Sequence, residues 1–102
     1  EKIMNITEKA NGNELCISLE GRLDTTTAPE LEKFLSGSLE GVTDLTFDMG
    51  KLDYLSSAGL RILLGAQKQM NKQGSMKVTN VNETIMEIFE VTGFADILTI
   101  EV

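Results

Sequence analysis

KLDYLSSAGLRILLG, residues 51–65, decides how the rest of the chain is read. It begins where a strand-like run ends at Phe47, Asp48 and Met49, crosses a short loop and becomes an apolar helical run. Ser56 and Ser57 stand at the changeover, and Gly59 follows within the first turn. A serine at a helix start ordinarily caps it, its oxygen accepting a hydrogen bond from a backbone N–H that has no partner inside the helix. The same position suits a regulatory hydroxyl, because free N–H groups and the positive end of the helix dipole favour a phosphate. The two roles are compatible if Ser56 caps and Ser57 faces outward.

Upstream, residues 43–49 (TDLTFDM) alternate, with Leu45, Phe47 and Met49 on one side. Residues 14–20 (ELCISLE) do the same with Leu15, Ile17 and Leu19, the pattern of a half-buried strand. Residues 2–8 (KIMNITE) predict a further strand, and Asn11-Gly12-Asn13 joins the first two into a hairpin, since Gly and Asn tolerate positive φ. Residues 21–26 (GRLDTT) read as a loop. Thr27-Ala28-Pro29-Glu30 then reads as a capping box, and a proline in a first turn costs little. Leu31, Phe34, Leu35 and Ser38 or Leu39 give that helix an apolar face, with Gly37 and Gly41 flanking its end.

Downstream, the central helix is expected to reach about Lys72, burying Leu60, Leu63, Leu64, Gln67 and Met70, and Gly74 stops it. Residues 76–81 (MKVTNV) predict a short strand, and Asn80 with Glu83 a second capping box. Ile85, Ile88 and Phe89 mark a third helix closed by Gly93, and residues 97–100 (ILTI) a last strand. The order ββαβαβαβ predicts one α/β domain over residues 1–102: a small mixed β-sheet with an N-terminal hairpin and parallel pairing after it. Strands buried on both faces read as continuous apolar runs, whereas these alternate, so the helices are expected mainly on one face.

The 102 residues carry sixteen acidic and nine basic side chains, a net charge of −7, which disfavours nucleic acid or an anionic membrane surface as partner. One cysteine, Cys16, excludes an internal disulfide and suits a reducing, cytoplasmic setting. No apolar run approaches the ~20 residues of a membrane span.

Enzymatic readings fare poorly. Neither GxxxxGK[ST] nor GxGxxG occurs, and the absence of histidine excludes a Ser-His-Asp triad. A Ser-Lys dyad of Ser57 with Lys51 or Lys68 has nothing to place either lysine. Asp24, Asp48 and Asp53 fall at strand ends or loops and could hold Mg²⁺ if they met, although such residues more often cap turns. The expectation is no enzyme, no metal and no cofactor.

DMGKLDYLSSAGLRILLGAQK, preceded by LEGRLDTTTAPEL and closed by Val91-Thr92-Gly93-Phe94, resembles the STAS domain, shared by bacterial anti-sigma-factor antagonists and sulfate transporters. The stand-alone antagonists are the closer fit. The resemblance implies a small mixed sheet flanked by helices and a transcription regulator that is not an enzyme. It implies that the unphosphorylated form binds an anti-sigma-factor serine kinase and frees a sigma factor. The kinase modifies a serine at a helix start, and a phosphatase reverses the change. Alignment on the Gly-Leu pair puts that serine at Ser57, with Ser56 as second choice where many antagonists carry aspartate. The implied partner surface comprises Asp24, Thr25, Thr26, Asp53, Ser56, Ser57, Gly59 and Arg61. The alternative is a STAS scaffold or adaptor subunit of a signalling or lipid-transport complex that needs no phosphate.

Overall fold

A computed structural model describes residues 4–102. The expected first strand is therefore described from Met4 onward, and Lys2 and Ile3 lie outside the described residues. Strands β1 (Met4–Asn11) and β2 (Glu14–Leu23) form the hairpin, paired antiparallel from Met4↔Gly21 to Asn11↔Glu14. Gly12, at φ +63, takes the first central position of the turn, where a type II′ hairpin places glycine. Helix α1 (Ala28–Leu35) leads to β3 (Asp44–Leu55), α2 (Ser57–Gln73), β4 (Ser75–Thr79) and α3 (Glu83–Thr92). The sheet order is β1-β2-β3-β4, with β2, β3 and β4 mutually parallel.

Alternation sorts the side chains as expected. Leu15, Ile17 and Leu19 of β2 and Leu45, Phe47 and Met49 of β3 are buried against Leu31, Leu63, Met70, Ile85 and Phe89 of the helices. On the opposite face Cys16, Ser18, Thr46 and Asp48 are only half-buried. This is the mixed α/β sheet with helices on one face that the pattern predicts.

Three expected element bounds are corrected. The loop expected after Met49 is strand: β3 continues to Leu55. Its register against β2 slips between Ser18/Glu20 and Gly21/Arg22, where β3 advances three positions (Asp48 to Lys51) for two of β2 (Ser18 to Glu20) and then two (Leu52 to Tyr54) for one (Gly21 to Arg22). Each slip inserts an extra residue, a β-bulge, which breaks the period-2 signal and makes strand look like loop. Residues 21–23, read as loop, are likewise strand. The first helix ends at Leu35, short of Leu39, yet Leu39 and Val42 still enter the core. The carbonyls of this turn are held from afar, as Gln73 Nε2 donates to both Leu39 O and Val42 O at 2.6 Å.

The capping residues also differ. Thr27 makes no side-chain cap; its hydroxyl donates to Arg22 O at 2.7 Å and accepts from Asp24 N–H at 2.9 Å. The α3 cap is Asn82, whose Oδ1 accepts from Ile85 N–H at 2.9 Å while its Nδ2 donates to Leu52 O. Asn80 instead adopts φ +57 and donates to Asp48 Oδ1. The expected last strand shrinks to one parallel bridge, Val78↔Ile100, because a 3-10 turn at Phe94–Asp96 takes up the chain before it and β4 is only five residues long.

Candidate functional site

Strands β2 and β3 end side by side. Arg22 pairs with Tyr54 and Leu23 with Leu55, and Ser56 N–H donates to Leu23 O at 2.9 Å. Because the strands are parallel, the segment holding Asp24, Thr25 and Thr26 and the segment holding Ser56 and Ser57 leave the sheet at the same edge. In open α/β sheets that carboxyl edge is where ligand sites gather.

Ser56 is the N-cap of α2, extended at φ −97, ψ 174, with its Oγ accepting from Gly59 N–H at 3.5 Å. Capping is thereby assigned to Ser56. Ser57 is the first helical residue; it is exposed, and its hydroxyl has no hydrogen-bond partner among the described residues. Gly59 is buried. A Cβ there would stand 2.6 Å from Leu23 Cγ and 2.8 Å from Leu55 Cδ1, so its part is to let the first turn of α2 sit down on the two strand ends. Arg61 is exposed one turn beyond Ser57.

Asp24 organises the first loop. Its Oδ1 accepts from Thr26 Oγ1 at 2.7 Å, Thr26 N–H at 3.0 Å and Thr27 N–H at 3.2 Å, and its Oδ2 takes Arg22 Nε at 3.5 Å. The Thr26 hydroxyl above all, with the two N–H groups and Arg22 outweighing partial desolvation, lowers its pKa from 3.8 to about 2. A carboxylate depressed on folding stabilises the fold fully above its unfolded value and loses that contribution as pH falls through its folded one. Stability should therefore drop between about pH 4 and pH 2, and Asp24→Asn should flatten that acid arm in a plot of melting temperature against pH. Parallel arms for both proteins would assign acid sensitivity elsewhere. Thr25 is exposed, and Asp53 is exposed on β3 without a hydrogen bond or ion pair among the described residues.

Asp48 belongs to a different place. Its carboxylate accepts from Asn80 Nδ2 and Gly50 N–H, both at 3.0 Å, which hold its pKa down, and it faces the uncovered side of the sheet. Among the described residues no group of three or more Asp, Glu, Cys or His is placed to hold a metal ion. Lys51 lines the same open-face hollow as Asp48, and Lys68 sits eleven residues along α2 from Ser57, about 16 Å at 1.5 Å per residue. Neither lysine is placed for a dyad.

Several residues of this edge are not in the partner surface that the resemblance implies. Tyr54, Leu55, Ser56, Ser57 and Leu60 form one wall of a shallow hollow of about 430 Å³, whose other wall is Thr84, Glu87, Ile88, Val91 and Thr92 of α3. Val91 is 80% exposed, a large aliphatic side chain left in water. Its signal in the sequence was the spacing 84, 88, 91, one helical face running past Ile88. Arg22 stacks on Tyr54, its Cζ 4.4 Å from the ring centre, so the two strand ends are joined by a cation–π contact as well as by backbone. The edge therefore offers a hydroxyl without a partner among the described residues, an apolar hollow beside it and a hydrogen-bonded carboxylate loop.

The chain is similar to known proteins in sequence and in shape. The anti-sigma-B factor antagonist of Bacillus subtilis (strain 168) is 33% identical over 98 residues, spanning 95% of this chain and 90% of the relative. A crystal structure of an anti-sigma factor antagonist from Mycobacterium paratuberculosis superposes with a TM-score of 0.87 at 20% identity, covering 96% of this chain and 85% of that one. The Bacillus antagonist SpoIIAA superposes at 0.82 in its unphosphorylated form and 0.74 in its phosphorylated form, each at 18% identity and over 96% of this chain, and over 89% and 92% of the SpoIIAA chains. With residues 5–102 matching the pattern of the STAS domain, the chain belongs to the STAS domain family.

Proposed function

We propose that this protein is an anti-sigma-factor antagonist that binds a serine-kinase anti-sigma factor through the edge containing Ser57, and that phosphorylation of Ser57 switches that binding off. The observation that carries the reading is the division of labour at the head of α2. Ser56 caps the helix, which leaves the Ser57 hydroxyl exposed and unpartnered at the rim of an apolar hollow. Support comes from relatives described as antagonists of anti-sigma factors and from a neighbour of the same fold known in both phosphorylated and unphosphorylated forms.

In the transfer, Ser57 Oγ forms a bond to the γ-phosphorus of ATP while the bond from that phosphorus to ADP breaks, and the hydroxyl proton passes to a base on the kinase. A phosphatase removes the group: water bonds to the phosphorus as the bond to Ser57 Oγ breaks, inorganic phosphate leaves and the serine oxygen regains its proton. The protein itself is the substrate of both steps and catalyses neither. No helix among the described residues is long and apolar enough to cross a membrane.

The test is incubation with the cognate kinase and ATP, followed by intact-mass measurement and site mapping. Wild type and Ser56→Ala should each gain one phosphate, and Ser57→Ala none. Phosphate mapping to Ser56 overturns the assignment and moves the switch to the second-choice serine, and no modification at all leaves the scaffold role in its place.

A further inference from the structure

The geometry points to Arg61 as the group that holds the phosphate once Ser57 carries one, in a phosphoserine–arginine pair across the first turn of α2. The inference rests on Ser57 as phosphoacceptor and goes beyond it by naming the residue of this chain that meets the dianion. Ser57 and Arg61 are four apart on a helix, so their Cβ atoms lie about 5–6 Å from each other, and acid-before-base is the favoured order of an i,i+4 pair. Both side chains are exposed. Arg61 has no hydrogen bond or ion pair among the described residues, so nothing has to be broken for the guanidinium to turn toward the phosphate. Its planar fork can give two parallel N–H bonds to phosphate oxygens.

The rest of α2 agrees. The helix contains no Asp or Glu, and its three cations, Arg61, Lys68 and Lys72, are all exposed in a chain whose net charge is −7. At ~100° per residue they fall with Ser57 in one outward stripe roughly 60° wide. The other arginine near this edge is already committed. Arg22 is bonded to Asp24, a carboxylate whose pKa is lowered, and is stacked on Tyr54. Phosphorylation thus does two things at once. It adds a charge of about −1.5 to −2, and it takes the first cation of the stripe out of service.

The experiment supplies the phosphate without a kinase, by translating phosphoserine at position 57, so it reads the pair even if no kinase modifies the protein. Phosphorus NMR then follows the second ionisation of the phosphate in otherwise wild-type protein and in Arg61→Gln, Arg61→Lys and Arg22→Gln backgrounds. That ionisation ordinarily lies near pH 6, and a paired cation lowers it. It should sit about 0.1–0.4 pH lower in the wild-type background than in Arg61→Gln, with Arg61→Lys between them and Arg22→Gln unchanged. The difference should vanish in about 1 M salt, where the screening length is ~3 Å. Coincident curves for wild type and Arg61→Gln, or a rise in Arg22→Gln instead, overturn the assignment. Arg61 is exposed and both replacements are good helix formers, so the variants keep the fold.

Discussion

Phosphate on Ser57 is expected to weaken binding to the kinase-type anti-sigma factor by about 100-fold or more, without unfolding the domain. Two effects of different size set the sign. At the head of α2 a dianion gains ~0.3–1 kcal/mol from the dipole and free N–H groups, so the fold keeps its melting temperature or gains slightly. At the interface the same group must lose its water as the partner closes over the hollow beside it. An unpaired charge typically costs several kcal/mol to desolvate, and each ~1.4 kcal/mol is tenfold in affinity. Desolvation exceeds the dipole gain, and the Arg61 pair offsets only part of it. Ser57→Asp should fall between the two forms, because one carboxylate carries less charge, and Ser57→Ala should bind about as tightly as unmodified protein. Titration calorimetry against the kinase reads all three. Equal affinity for wild type, Ser57→Ala and Ser57→Asp would show that the interface lies elsewhere or that the protein is a scaffold.

The largest effect on stability is expected at Gly74, where α2 hands over to β4. A Cβ there would lie 2.0 Å from the Thr43 carbonyl oxygen and 2.6 Å from its carbon. Thr43 O also accepts from Ser75 N–H at 2.9 Å, so the two backbone segments cannot part without losing that bond. Gly74→Ala should cost about 3 kcal/mol or more, at the upper end of overpacking, which in a domain this size lowers the melting temperature by roughly 12–24 °C. Gly59→Ala should cost less, about 1–2 kcal/mol, because its obstacles are leucine side chains that can shift and because alanine is the better helix former. Gly65 has nothing within 4 Å of its would-be Cβ, so Gly65→Ala should stabilise by up to ~1 kcal/mol. Thermal melts of the three proteins give the order directly. A Gly74→Ala protein as stable as Gly65→Ala would mean that this crossing is not tight.

How much of this could be read beforehand depended on whether the cause was local. Leu15, Ile17 and Leu19, and likewise Leu45, Phe47 and Met49, announce one-faced strands because burial has the same period as the backbone. The paired serines before an apolar helical run announce the head of α2. The bulges in β3 are not local, since the extra residues exist only relative to β2. Asn82 and Asn80 have the same side chain, and only the path of the backbone makes one a cap and leaves the other at φ +57. Thr27 looked like a cap because its neighbours fit the motif, but Asp24 N–H and Arg22 O engage its hydroxyl. At the site, the serine pair at the head of α2 was legible from position, and Ser57 was singled out within it by the resemblance. The spacing 84, 88, 91 marks Ile88 and Val91 as one helical face, but that this face forms the far wall beside Ser57 depends on where α3 lands after two crossovers.

Tyr54 is the chain's one tyrosine, and there is no tryptophan. It lines the hollow beside Ser57 with Arg22 across its ring. The tyrosine emission of the whole protein therefore originates from a single ring at the edge proposed for docking. A partner that covers that ring, or a rearrangement that draws the guanidinium off it, changes the intrinsic fluorescence, so the molecule carries its own optical label and needs no dye.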